Sequence, residues 1–141
     1  MFFFFFLHHT RAHLYKAALE GIGYTIAQHF DILEENGLPV KKVMVVGGGT
    51  KNPVWLQIVA DILGRPVCTA KVTFGAAYGD AIMAALSGGA YTSWAELEKF
   101  VQPDRIIQPN QEAHKVYTTQ KPIFDQLYRN NKNLMRQVGS K

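Results

Sequence analysis

The run Val43-Met44-Val45-Val46-Gly47-Gly48-Gly49-Thr50-Lys51-Asn52-Pro53 constrains this chain more than any other stretch. An apolar, β-branched segment enters three glycines, and Asn52-Pro53 opens a helix, because proline suits a helix's first turn. A strand that ends this way aims backbone N–H groups at one point. Glycine lets a ligand approach the backbone closely, and the next helix offers its positive end to an anion. The local reading is a nucleotide or another phosphate-bearing ligand at Gly47, Gly48 and Gly49. A plain structural reading stands beside it: the glycines make only a tight corner, and Asn52 only caps the helix. No Gly-Lys-Ser/Thr follows, so this is not a Walker A loop. Asn52 also occupies the third glycine position of a dinucleotide fingerprint, which excludes that motif.

The flanking sequence predicts an α/β order. Thr10 can cap a long helix reaching about Glu35, with Leu14, Ala17, Ala18, Gly21, Ile22, Thr25, Ile26, Phe30 and Leu33 at helical spacing. Asn36-Gly37 stops it. Residues 43–46 form a continuous apolar run, the pattern of a strand buried on both faces. A second helix starts at Pro53, with Trp55, Ile58, Val59, Ile62 and Leu63 inward, and Gly64 ends it. Residues 66–69 read as a short strand. Residues 75–86 read as a helix rich in glycine and alanine, able to lie close against another backbone, and Gly88-Gly89 breaks it. Ser93-Trp94-Ala95-Glu96 has capping-box spacing. Residues 101–110 hold Pro103 and Pro109 and read as a loop. Residues 114–138 return to helical spacing, with Pro122 expected to kink or interrupt them. Two strands are too few for a stable sheet, so a third is expected from the N-terminal phenylalanine run or from parts of a longer protein.

Composition narrows the function classes. With 48% apolar and 18% charged residues in 141, the chain is globular and long enough for one domain with a core. Part of the +4 net charge lies on Arg129, Lys132, Arg136 and Lys141. That spacing reads as a solvated helix face and argues against nucleic acid as a partner. Cys68 is the single cysteine, so no intrachain disulfide forms, and a reducing cytoplasm is the expected location. No apolar run approaches the ~20 residues of a membrane helix. Residues 1–9 form an apolar N-terminal segment with five consecutive phenylalanines. It lacks the basic start and small-residue cleavage site of a signal peptide, so it reads as a buried strand or an altered start.

Four segments, in this order, resemble the C-terminal part of the FGGY carbohydrate kinases. They are His9-Thr10-Arg11-Ala12-His13-Leu14-Tyr15-Lys16-Ala17-Ala18-Leu19-Glu20-Gly21-Ile22, the turn from Gly47-Gly48-Gly49 to Asn52-Pro53-Val54-Trp55, Gln57-Ile58-Val59-Ala60-Asp61-Ile62-Leu63-Gly64, and Gly75-Ala76-Ala77-Tyr78-Gly79-Asp80-Ala81. The pattern is closest to xylulokinase-like members. The resemblance implies a partial actin-like ATPase (ribonuclease H-like) domain, with few parallel strands flanked by helices, over residues 10–138. It also implies ATP as the ligand and, in the full-length family, Mg²⁺. Gly48 and Asn52 fall at nucleotide-contacting positions, Asn52 near the adenine, so Gly47, Gly48, Gly49 and Asn52 form the candidate site. Residues 75–77 are expected to pack beside that turn. The family's catalytic aspartate, sugar-binding residues and β,γ-phosphate loops lie in preceding segments that this sequence does not contain. The chain is therefore expected to be inactive alone, to meet sugar only with that missing part, and to carry no catalytic residue of its own.

Other features have bland readings. His9 and His13 sit four apart as a possible metal pair, but no third ligand is apparent and a structural role is favoured. Asp61 and Asp80 read as structural rather than as bases. Lys51 is either a phosphate contact or a solvated cation. Tyr117, Phe124 and Tyr128 read as core. A second function class remains open: a non-catalytic module that pairs with a partner or with itself as a homo-oligomer through an exposed strand edge.

Overall fold

A computed structural model describes residues 6–139. The chain begins with helix α1 (Arg11–Glu35), then strand β1 (Val43–Val45) and a 3-10 turn (Gly48–Lys51). Helix α2 (Pro53–Leu63), strand β2 (Val67–Ala70) and helix α3 (Ala76–Ser87) follow. A short helix α4 (Trp94–Leu97), strand β3 (Pro103–Ile107) and a long helix α5 (Gln111–Gly139) complete it.

Among the described residues three strands lie in the order β1-β2-β3, with β1 parallel and β3 antiparallel to β2. The third strand is therefore β3, in the segment that its two prolines mark as a loop. Pro103 is the first residue of the strand, where a missing donor is tolerated, and Pro109 lies beyond its end. The ladder is irregular between Cys68 and Ala70. There the Arg105 amide donates to Thr69 Oγ1 at 3.2 Å, replacing a backbone rung. The strand expected over the phenylalanine run lies outside the described residues, except that Phe6 and Leu7 are exposed.

Helix α2 is the centre of the molecule. One side packs on α1 and α5 through Leu19, Tyr24, Ala27, Ile58, Ile62 and Tyr117. The other packs on the sheet through Val43, Val59, Ala60 and Val67. Trp55 and Leu63 touch both clusters. All of β2 is buried, as a central strand should be. In β1 only Val43 is buried, because β2 is its single neighbour among the described residues. The expectation of burial on both faces thus fails for β1.

The α1 boundaries agree with the sequence pattern, but the inward face does not. The buried residues are Leu19, Gly23, Tyr24 and Ala27, while Ile22, Thr25 and Leu33 are exposed. A Cβ at Gly23 would stand 2.5 Å from Ile62 Cδ1, so the absent side chain is what lets α1 approach α2. Helix α5 runs through Pro122 without interruption and starts three residues before the expected position. Asn110 caps it, accepting from the amides of Glu112 and Ala113 at 3.0 and 3.1 Å. Ser93 makes no capping bond; Glu96 binds the Thr92 hydroxyl instead, at 2.6 Å. Helix α3 buries no residue, so the expected close approach along its small-residue face is not made within the described residues.

Candidate nucleotide site

Strand β1 delivers the chain to Gly47, which adopts φ +82°, a conformation open to glycine and strained for most other residues. The Gly47 amide donates to the Thr73 carbonyl at 3.0 Å. Gly75, also at positive φ, brings its backbone against Gly47, since a Cβ there would lie 3.8 Å from Gly47 Cα. Of the expected packing of residues 75–77 beside the turn, Gly75 alone makes the approach; Thr73, ahead of that segment, supplies the hydrogen bond, and Ala76 and Ala77 are exposed.

The turn itself is rigidly held. Thr50 is buried and sends both its amide and its hydroxyl to the Gly47 carbonyl, at 3.2 and 2.8 Å. The Asn52 amide reaches the Gly49 carbonyl at 3.0 Å. From β3, the Arg105 guanidinium donates to the Thr50 carbonyl at 3.0 Å. The amides of Gly48 and Gly49 open the 3-10 turn and so have no acceptor within it. No other carbonyl among the described residues takes them.

Access is uneven. A Cβ at Gly47 or Gly48 would meet nothing within 4 Å, whereas at Gly49 it would meet the Trp55 ring at 2.7 Å. Trp55 therefore closes one side of the bend, and Gly47 and Gly48 leave the other open. Two adjacent unbonded amides on an exposed backbone, next to the N-terminus of an eleven-residue helix, fit an anionic group such as a phosphate.

Asn52 fits a ligand less well. Its Oδ1 accepts from the Trp55 amide at 3.1 Å, capping α2, and its Nδ2 donates to Tyr15 Oη at 3.0 Å. The capping reading holds for this side chain, and only one Nδ2 proton remains. Tyr15 lies within the first family segment without a role assigned to it there, and Arg105 lies in no motif. Each joins the turn across tens of residues, where periodicity carries no signal.

The remaining candidates fall into structural places. Asp61 is buried; its Oδ1 accepts from the Asn110 amide and from Gln57 Nε2, both at 2.7 Å, pinning the start of α5 to α2. Asp80 and Lys51 are exposed. His9 precedes α1 rather than sharing its face, and His13 Nδ1 accepts from the Thr10 amide at 3.1 Å. No group of three His, Cys, Asp or Glu among the described residues could hold a metal ion. Tyr117 is core, Phe124 stacks on Tyr24 with centroids 5.0 Å apart, and Tyr128 is exposed, contrary to the core reading. No helix among the described residues is long and apolar enough to cross a membrane.

Comparison with known proteins gives a consistent picture. Residues 7–88 match the model of the FGGY family of carbohydrate kinases, C-terminal domain. A xylulose kinase of Staphylococcus epidermidis is 32% identical over 127 residues, covering 89% of this chain and 26% of the relative. A glycerol kinase of Rhodopirellula baltica is 34% identical over 108 residues, 76% of this chain and 20% of the relative. Among solved structures, a xylulose kinase from Rhodospirillum rubrum superposes with a TM-score of 0.78 at 31% identity, over 94% of this chain and 27% of that one. The chain spans about a quarter of the length of these relatives.

Proposed function

This chain belongs to the FGGY family of carbohydrate kinases, whose C-terminal domain it carries, and on that premise we propose that residues 10–138 form the nucleotide side of an ATP-dependent sugar or polyol kinase. The turn of Gly47, Gly48 and Gly49 receives the α-phosphate and ribose, and Asn52 stands on the adenine side. The observation that carries this reading is the pair of unbonded, exposed amides at Gly48 and Gly49, held between the Thr73 clamp and the Trp55 ring.

Phosphoryl transfer works by positioning and charge stabilisation, with Mg²⁺ and a base placed around the transferred group. The amides here address one end of a nucleotide. The base, the metal site and the sugar pocket then belong to the part of the kinase outside this sequence. The 141-residue chain alone then binds nucleotide without turning it over. Its proposed compartment is the cytoplasm, where ATP and phosphorylated sugars are kept.

Trp55 covers Gly49 and reports on the turn. Titration of the purified chain with ADP should change its fluorescence saturably and release heat in a calorimeter. No heat and no fluorescence change at millimolar ADP overturns the nucleotide reading. Sugar-dependent ATP hydrolysis above blank by the same preparation overturns the claim of inactivity.

A second reading, self-association, is favoured by one observation. The outer edge of β1 pairs with no strand among the described residues, and Val46 beside it is 48% exposed. A scattering mass of one chain at high concentration counts against it.

A further inference from the structure

We propose that Arg105 is the positioning residue of the glycine turn: acting through Thr50 and the Gly47 carbonyl, it keeps the Gly48 amide aimed at the phosphate. This inference rests on the nucleotide reading above and names the side chain that holds that site in shape.

The need for Arg105 begins at Pro53. Thr50 is buried within the 3-10 turn, where a carbonyl ordinarily accepts from the amide three residues on. That residue is Pro53, which has no N–H. No backbone amide among the described residues takes the Thr50 carbonyl. A buried carbonyl without a donor is costly. The Arg105 guanidinium fills the gap, donating at 3.0 Å.

Strand β3 is shaped to deliver it. Cys68 and Ala70 are two residues apart on β2, whereas their partners Ile106 and Pro103 are three apart on β3. The extra residue is a bulge, a device that turns a side chain out of its ordinary alternation. The Arg105 amide, displaced from the ladder there, donates to Thr69 Oγ1 at 3.2 Å, and the side chain crosses to the turn. Asp104 stands 3.6 Å from Arg105 Nε and offsets part of its charge. Arg105 therefore acts by the geometry of one hydrogen bond more than by a long-range field.

The effect reaches the ligand through rigid peptide planes. Thr50, fixed at its carbonyl, sends its amide and hydroxyl to the Gly47 carbonyl, at 3.2 and 2.8 Å. That carbonyl shares a planar trans peptide with the Gly48 N–H, and the two point in opposite directions. Drawing the Gly47 oxygen inward turns the Gly48 hydrogen to the open side of the bend. Without Arg105 the inner bonds loosen, and Gly48 regains the freedom of a residue without a side chain. A phosphate then has to order the amide as it binds, which weakens binding. The loss falls on the anion itself, so nucleotide and bare pyrophosphate suffer alike.

Calorimetry of the full chain with ADP and pyrophosphate, paired with amide NMR spectra, tests this. Arg105→Met keeps a long side chain and removes the donor. It should weaken both titrants about tenfold, the size of one hydrogen bond from a charged group. The ratio to wild type should persist in about 0.5 M salt, where a field effect is screened. The Gly48 amide resonance should move while those of Val59 and Val67, in the core, stay in place, which a general loss of fold would not produce. Thr50→Val removes the hydroxyl at nearly constant shape and should weaken both titrants equally; unchanged affinity there decides against the relay even if Arg105→Met does not fold. Unaltered affinity of Arg105→Met for both titrants, or a loss that disappears in high salt, overturns the assignment and leaves the turn as an anion site. Silence of the wild type toward both titrants removes the nucleotide reading instead. The Gly48 resonance still decides the positioning in that case: displaced in Arg105→Met it upholds it, unmoved it overturns it.

Discussion

Helices α2 and α3 are near twins in sequence character and opposites in fate. Each follows a strand, each is apolar, and each carries one acid, Asp61 or Asp80. Helix α2 buries Leu56, Ile58, Val59, Ala60, Asp61 and Ile62, whereas α3 buries nothing. The difference is not in the helices but in what surrounds them. Helix α2 has α1 and α5 on one side and the sheet on the other, so even its acid finds two donors. Helix α3 has no such layers among the described residues. Its apolar side chains, Met83 among them, are left facing outward there.

The largest effect should separate the two helices directly. Leu56 is 1% exposed, so Leu56→Ala should cost about 2–5 kcal/mol in urea unfolding. An equal cost at Met83, on α3, would break the contrast. The second test concerns the seam that α1 and α5 build against α2. Burial, with a smaller push from the Glu20 charge, raises the Tyr24 hydroxyl to about 12. Tyr117 is raised as well, first by burial and then by its hydrogen bond to Glu20. An unfolded tyrosine ionises near 10. The folded pKa is the higher one, so this stability is complete below about pH 10 and is lost as pH rises from there toward 12. Melting temperatures across that range should fall, and less steeply in Tyr24→Phe.

Gly23→Val tests the close approach of α1 to α2. It should destabilise by about 1–3 kcal/mol, because its Cβ meets Ile62 and the seam must spread. Asn52→Ala removes the α2 cap and should cost about 1 kcal/mol. The smallest effect is expected on α3, where Met83→Ala should stay within about 0.5 kcal/mol by chemical denaturation.

Local chemistry made much of the candidate site legible in advance. Asn52 followed by proline is an N-cap signal that depends on four neighbouring residues, and it forms as read. The triple glycine announced a tight corner, and Gly47 turns it at positive φ. The same local reasoning failed at β3, because proline's aversion to strands is weak at a strand's first residue. It also failed on the phase of α1. Leu14, Ala18 and Ile22 have the right spacing for a buried stripe, but the stripe that is buried contains Gly23, whose merit is the room it leaves for Ile62. The contacts of Tyr15 and Arg105 with the turn stayed hidden because their partners lie 37 and 55 positions away.

The order of elements as far as α4, the corner after β1, the cap on α2 and the family motifs were determined by the amino-acid sequence itself. Such features arise from backbone preferences and short-range hydrogen bonds among residues a few positions apart. The tertiary structure alone decided which face of α1 is inward, that β3 joins the sheet antiparallel, that Trp55 shuts one side of the glycine bend, and that α3 stands uncovered. Those outcomes depend on which distant surfaces meet, because burial is a property of pairs of elements and not of either one's sequence.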